Sequence, residues 1–276
     1  LMYQNDFNQK IEGKFSKNDP IYIKWKKFTE NTINHLNKRE KIKGKNIVWE
    51  KRGVLNPEEL IIIGAHYDTI SHDKNNLTIR ENDKMPGADD NASGVVLALN
   101  LIELLSKIDL DKTVQVVFFD YQELGFLGSY AFLKKYGEKI KGNSVYVNLE
   151  MLGHDTISSD KTKQNGNMKM YIRQKGEIGH EKDLKLAKKL QLYGKKLNEN
   201  IRFEIKANGL DTSDQVSFWN AGISGIAFSQ DHENDFNQIG HHSSNDFVEK
   251  INFNTLYLSY QYIASAIISL NFDLLN

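Results

Sequence analysis

The residues of this 276-residue chain whose type and spacing suit chemistry are His66, Asp68, Asp89, Asp90, Glu123, Glu150, His241 and His242. His66 and Asp68 follow the apolar run Leu60–Ala65. Asp89 and Asp90 lie in the turn Gly87-Ala88-Asp89-Asp90-Asn91-Ala92-Ser93-Gly94, which opens an apolar helix. Glu123 follows Thr113–Phe119, Glu150 follows Ser144–Leu149, and the histidine pair stands in a loop before the last helix. Taken singly, each has an ordinary reading. His-x-Asp arises by chance, Asp-Asp-Asn before a helix caps the free amides of the first turn, tandem His is commonly solvated, and Glu after a strand is commonly a turn residue. Their joint placement shifts the balance. Two histidines and three carboxylates gathered at one edge of a sheet offer the nitrogen and oxygen ligation that zinc accepts, and suffice for a two-metal site.

Composition narrows the chemistry further. The chain has no Cys, which excludes a disulfide framework, a thiol nucleophile and cysteine-ligated metal. Any metal must be held by His, Asp and Glu. Its 36 basic and 36 acidic residues cancel, so nucleic acid and anionic membrane, which attract proteins through clustered basic charge, are not favoured partners. No stretch approaches the ~18 apolar residues of a membrane-spanning helix, and no charged start followed by an apolar core marks a signal peptide.

The elements that must position these residues follow from periodicity. Strands are expected at Asn46–Glu50, Leu60–Ala65, Thr113–Phe119, Ser144–Leu149, Met168–Arg173, Ile201–Ile205 and Ile223–Phe228. Helices are expected at Ile21–Lys41, Gly94–Leu105, Leu127–Tyr136, Glu181–Asn198, Ser213–Trp219 and Asn254–Leu270, with a surface loop from His154 to Gly166. The alternation predicts a single α/β/α sandwich: a mixed, largely parallel central sheet with helices on both faces. In such folds ligands bind outside the carboxyl ends of the strands. One domain over residues 1–276 is expected, with an N-terminal helical segment at about 1–45.

The series His66-Tyr67-Asp68, Pro86-Gly87-Ala88-Asp89-Asp90-Asn91-Ala92-Ser93-Gly94, Gln122-Glu123-Leu124-Gly125-Phe126-Leu127-Gly128-Ser129, Asn148-Leu149-Glu150-Met151-Leu152-Gly153 and His242-Ser243-Ser244-Asn245-Asp246 closely resembles the di-zinc aminopeptidase family, which also contains glutaminyl cyclases and glutamate carboxypeptidases. It runs from about Ile47 to about Ile268 in the family's order. The resemblance implies two zinc ions per chain, with Asp90 bridging, His66 and Glu150 completing one site, and Glu123 and His242 the other. Asp68 would hold the His66 imidazole in its ligating tautomer, and Asp246 would support the ligand histidine. Ser213–Trp219 resembles a family segment near the substrate pocket. Asp214 and Gln215, the latter where the family often has His, are therefore expected substrate contacts. His241, at a position often aromatic, is another.

The resemblance implies an exopeptidase-type hydrolase acting on the N-termini of peptides or proteins, in a secreted or periplasmic protein. One departure bears on that activity. Family members carry two glutamates in tandem, the first a general base that takes the proton of the attacking water and passes it to the leaving amine. This chain has Gln122 there. An amide accepts a hydrogen bond but cannot carry the proton, so activity is expected to be weakened unless another acid, such as Asp120, substitutes. Whether the amide was engineered to trap ligand or is native stays open at this stage. Glutaminyl-peptide cyclotransfer is an alternative, although family cyclases typically use a single zinc, whereas His66 and Glu150 supply a second site. A non-catalytic, metal-containing peptide-binding protein is another. His72, His154, His180 and His232 match no family ligand and are expected at the surface.

Overall fold

The structure, a computed structural model, describes residues 2–9, 42–73, 75, 78–80, 83–156, 166–197 and 201–274. The helix expected over Ile21–Lys41 lies outside the described residues, as does most of the loop expected from His154 to Gly166. The strands are β1 (Met2–Gln9), β2 (Ile42–Lys51), β3 (Asn56–His66), β4 (Lys112–Phe119), β5 (Ser144–Leu149), β6 (Gly166–Tyr171), β7 (Ile201–Lys206) and β8 (Ser224–Ser229). They form one sheet in the order β1-β2-β4-β3-β5-β8-β6-β7. Pairs β3/β4, β3/β5, β5/β8 and β6/β7 are parallel, whereas β1/β2, β2/β4 and β6/β8 are antiparallel. Residues 2–9 depart from the expected N-terminal helical segment: they pair with β2 along its first eight residues, Ile42 to Trp49.

The helices are α1 (Gly94–Ser106), α2 (Leu127–Ile140), α3 (His180–Leu197), α4 (Gln215–Asn220) and α5 (Phe253–Asn271). Strand pleating divides the apolar residues of the central strands between two layers. Ile61, Ile63 and Ala65 of β3, with Val114, Val116 and Phe118 of β4, pack under α1, α3 and α5. Ile62, Val117 and Phe119 face the opposite way, toward Phe132 of α2 and Phe218 of α4. The chain is thus a mixed α/β structure with helices on both faces. No helix among the described residues is long and apolar enough to cross a membrane.

This topology fixes the site. Because β3, β4, β5 and β8 run in one direction, their carboxyl ends share an edge, and the segments beyond them emerge side by side. Two glycines permit the close approach there. Gly87 adopts a left-handed φ of 61° before the turn Ala88–Ser93. At Gly94, a Cβ would meet the Asn91 side chain and the Leu149 carbonyl at 2.6 Å, so only glycine lets α1 start this close to the end of β5.

Candidate metal centre

His66, the last residue of β3, is buried with both ring nitrogens engaged. Its Nε2 lies 3.1 Å from Glu150 Oε1 and 3.3 Å from Asp90 Oδ1. Its Nδ1 is 2.9 Å from the Asp68 backbone carbonyl and 3.4 Å from that residue's carboxylate. The carboxylate of Asp68 accepts the backbone N–H groups of Gln122 and Glu123 at 3.0 and 3.1 Å. One residue thus orients the imidazole mainly through its carbonyl and pins the loop after β4 through its side chain.

On the other side of Asp90, His242 Nε2 lies 3.4 Å from Asp90 Oδ2 and 2.8 Å from Glu123 Oε2. Asp90 therefore presents one carboxylate oxygen to each histidine. Its peptide bond to Asn91 is cis. Ser213 Oγ donates to Glu150 Oε2 at 2.5 Å, which leaves the other Glu150 oxygen facing His66. Asp246, expected beside the ligand histidine, instead accepts the backbone N–H groups of Asp89 and Asp90 at 2.9–3.0 Å. It braces the turn that carries Asp90. Asp89, which the sequence places beside Asp90, is fully buried and accepts from Gly153 N–H and Asn237 Nδ2, and burial pushes its carboxyl up to about 7.

The backbone is strained at this edge. Tyr121, Met151 and His242 adopt positive φ values of 54°, 47° and 50° without being glycine, a conformation costing roughly 1–2 kcal/mol each. Such outliers concentrate where the surrounding structure holds functional side chains in place.

The remaining expected site residues divide. Gln122 is buried, and its Nε2 donates to the Thr212 carbonyl at 3.0 Å. Asp120 does not reach the centre: its oxygens accept from the backbone N–H groups of Lys45 and Tyr121. Gln215 is fully buried, accepting from Asn148 and donating to the Leu210 carbonyl, and Asp214 is likewise fully buried, its carboxyl pushed up to about 7 by burial. Neither opens to a substrate at the surface, because the start of α4 is turned into the protein behind Glu150. His241, expected as a substrate contact, stacks on His242 at 3.6 Å and brings Nε2 to 3.6 Å from Asp90 Oδ2. Asp90, His241 and His242 thereby form a second group of donors within 4.8 Å of one another, beside His66, Asp90 and Glu150.

Two of the histidines expected at the surface are buried. His180 Nδ1 is 2.7 Å from the Arg173 carbonyl, and His72 Nδ1 is 2.9 Å from His242 Nδ1. His72 carries no motif signal, and Ser213, though inside the segment matched to the family, gave no sign of its bond to Glu150; both places depend on contacts far apart in sequence.

Charge gives the cluster its character. Asp90, Glu123 and Glu150 expose only 4 %, 6 % and 6 % of their surface, and like carboxylates so placed need a positive partner. Burial works against a charged His66, yet Glu150, with Asp68 and Asp90, raises it well above its ordinary value. Burial likewise opposes charge on His242, but Glu123 and Asp90 push it up to about 10. Burial and the Asp90 carboxylate push Glu123 up to about 7. Burial alone would raise Asp90 also, but the imidazoles of His242 and His66 hold it well below the usual carboxylate range. Protons on the histidines thus do the neutralising that a cation would do. A divalent cation entering here must displace them. Calorimetry near neutral pH in buffers of differing ionisation enthalpy should register release of about two to three protons per fully loaded chain, one from each histidine and the remainder from Glu123, with affinity rising about tenfold per pH unit for each displaced proton. Binding without proton release would contradict this charge assignment.

Residues 46–267 match the sequence profile of Peptidase family M28. The chain is 31% identical over 136 residues to the probable aminopeptidase YDR415C of Saccharomyces cerevisiae, covering 47% of this chain and 35% of that protein. Among solved structures it is similar to BSAP, a zinc aminopeptidase from Bacillus subtilis, with a TM-score of 0.62, 22% identity, and coverage of 86% of this chain and 55% of that one. It is also similar to LapB from Legionella pneumophila, with a TM-score of 0.63, 21% identity, and coverage of 90% and 64%. The matched part is thus about a third of the yeast relative's length. At these identities the structural likeness establishes the fold, and the profile match, spanning most of the sequence, establishes that the chain belongs to Peptidase family M28.

Proposed function

We propose that this chain is a zinc-dependent aminopeptidase-type hydrolase that removes N-terminal residues from peptides, with two zinc ions per chain and one catalytic domain over residues 1–276. The observation that carries the reading is the division of buried donors around Asp90: one carboxylate oxygen faces His66, whose Nε2 also meets Glu150, and the other faces His242, whose Nε2 also meets Glu123. The donors fit the metal. They are nitrogen and carboxylate oxygen, which zinc accepts, and Glu123 Oε1 is buried without a hydrogen-bond partner among the described residues, a costly arrangement that a cation would relieve. Zinc bound there would supply Lewis acidity toward a substrate carbonyl and lower the pKa of water.

The chain's own residues set the rest. Asp68 holds His66 and the Gln122–Glu123 loop in register. Gln122 occupies the position of the proton carrier with a group that cannot carry a proton, so hydrolysis is slow. The assay is turnover of aminoacyl chromogenic substrates by the zinc-loaded chain, compared with their N-acetylated counterparts. Slow cleavage restricted to free N-termini supports an aminopeptidase; equal cleavage of both, or cleavage unaffected by chelator, contradicts it.

One observation favours a second reading, a non-catalytic protein that holds peptide N-termini. The Gln122 amide is fitted to its surroundings through the Thr212 carbonyl, a contact that an ionised carboxylate could not make. Tight peptide binding by zinc-loaded protein without turnover would decide for it.

A further inference from the structure

We propose that His72 is the positioning residue for the metal-ligand histidine His242, fixing its tautomer through an imidazole–imidazole hydrogen bond. This rests on the two-metal reading above. His72 Nδ1 and His242 Nδ1 are 2.9 Å apart, with ring centroids 4.7 Å apart and planes at 60°. The backbone reinforces the pair: His72 N–H donates to the His242 carbonyl at 3.0 Å, and His72 is itself fixed by a short antiparallel bridge to Ile79. The contact joins residues 170 positions apart, and His72 is only 7% exposed.

A hydrogen bond between two Nδ1 atoms needs one protonated nitrogen and one bare one. His242 Nε2 faces Glu123 and Asp90, so its lone pair is the one a cation takes. The single proton of a neutral His242 must then sit on Nδ1 and be donated to His72. His72 accepts at Nδ1 and carries its own proton on Nε2. At the other histidine the same role falls to a carbonyl, since His66 Nδ1 is 2.9 Å from the Asp68 backbone oxygen. Both ligand histidines thus present Nε2 to the centre and donate Nδ1–H to a neutral acceptor. The carboxylate expected to support His242 is absent from this role because Asp246 is committed to the amides of Asp89 and Asp90.

The test is chelator-competition titration of zinc with wild type, His72→Phe and His72→Asn. Phenylalanine keeps a ring and removes the acceptor, whereas the asparagine carbonyl can take the place of Nδ1. Partners that orient a ligand are worth roughly 10–100-fold in metal affinity, so His72→Phe should weaken one ion by that factor and leave the other unchanged, and His72→Asn should recover most of the loss. Unchanged binding in His72→Phe overturns the proposal, as does equal weakening in both variants, which would mark a packing role. A wild-type chain that binds fewer than two ions overturns the two-metal reading, and this assignment with it, before any variant is compared. Independently of the variants, spectra of zinc-loaded wild type labelled with 15N-histidine should show protonated Nδ1 on His242 and bare Nδ1 on His72. The reverse assignment would also overturn it.

Discussion

Gln122→Glu is expected to raise kcat toward aminoacyl substrates by on the order of 10²–10⁴, the usual contribution of a general base, with little change in KM. The gain belongs to kcat because the carboxylate acts on a proton in flight and adds nothing to binding of the ground state. The surroundings of position 122 shape how it will appear. In the present chain the amide donates to the Thr212 carbonyl; a carboxylate there faces carbonyl lone pairs in a buried site, and both desolvation and that oxygen disfavour its charged form. Its pKa should therefore lie above the usual carboxylate range, so the pH profile of the variant should rise along an acid limb displaced toward neutrality. A base with a pKa near the working pH is an effective one. If zinc-loaded Gln122→Glu hydrolyses no faster than wild type, position 122 is not the missing base. Asp120 offers no substitute, being held by the amides of Lys45 and Tyr121.

Asp90→Ala should abolish binding at both metal positions, lowering affinity by more than about 100-fold, since even residues that merely orient a ligand are worth 10–100-fold. The reason is geometric. Asp90 places an oxygen near each of the two histidines, 3.3 Å from His66 and 3.4 Å from His242. Glu150→Ala, by contrast, removes a donor only from the His66 side and should spare the other ion. The readout is thermal: a ligand that binds the folded state raises its stability with the logarithm of ligand concentration over Kd. Zinc should raise the melting temperature of wild type, raise that of Glu150→Ala less, and leave Asp90→Ala where it was. An undiminished zinc shift in Asp90→Ala would show that the ions bind elsewhere.

How much of this was legible in the sequence depended on how local the cause was. The run of β5 is bounded by Gly142-Asn143 and by Glu150, residue types depleted in strands, and its expected limits, Ser144 and Leu149, are those of the structure. The strand β4 was nearly as plain, and β3 was found but begins at Asn56 rather than the expected Leu60 because its polar start carries no apolar signal; the delivery of His66, Glu123 and Glu150 to one edge followed because parallel strands all release their next residues on the same side of the sheet. β1 was not legible. Its sequence, Met2-Tyr3-Gln4-Asn5-Asp6-Phe7-Asn8-Gln9, is mostly polar, as an edge strand may be, and its pairing partner begins at Ile42.

The same distinction divides the site. His241 was expected to contact substrate because its position is often aromatic in the family. The left-handed φ of 50° at His242 instead accompanies near-parallel stacking of the two rings beside Asp90. The burial of His72 depends on a loop 170 residues later, and no local pattern encodes such a contact. Gln215 was matched to a family segment near the substrate pocket, but α4 begins facing inward, so its carboxamide serves Asn148 and, through it, Glu150.

The central claim is that Asp90 stands between two zinc ions. Diffraction from zinc-soaked crystals on either side of the zinc absorption edge tests it most directly. Two anomalous peaks should flank the Asp90 carboxylate, one against His66 and Glu150 and one against His242 and Glu123. A single peak, no peak, or zinc held away from Asp90 would contradict it.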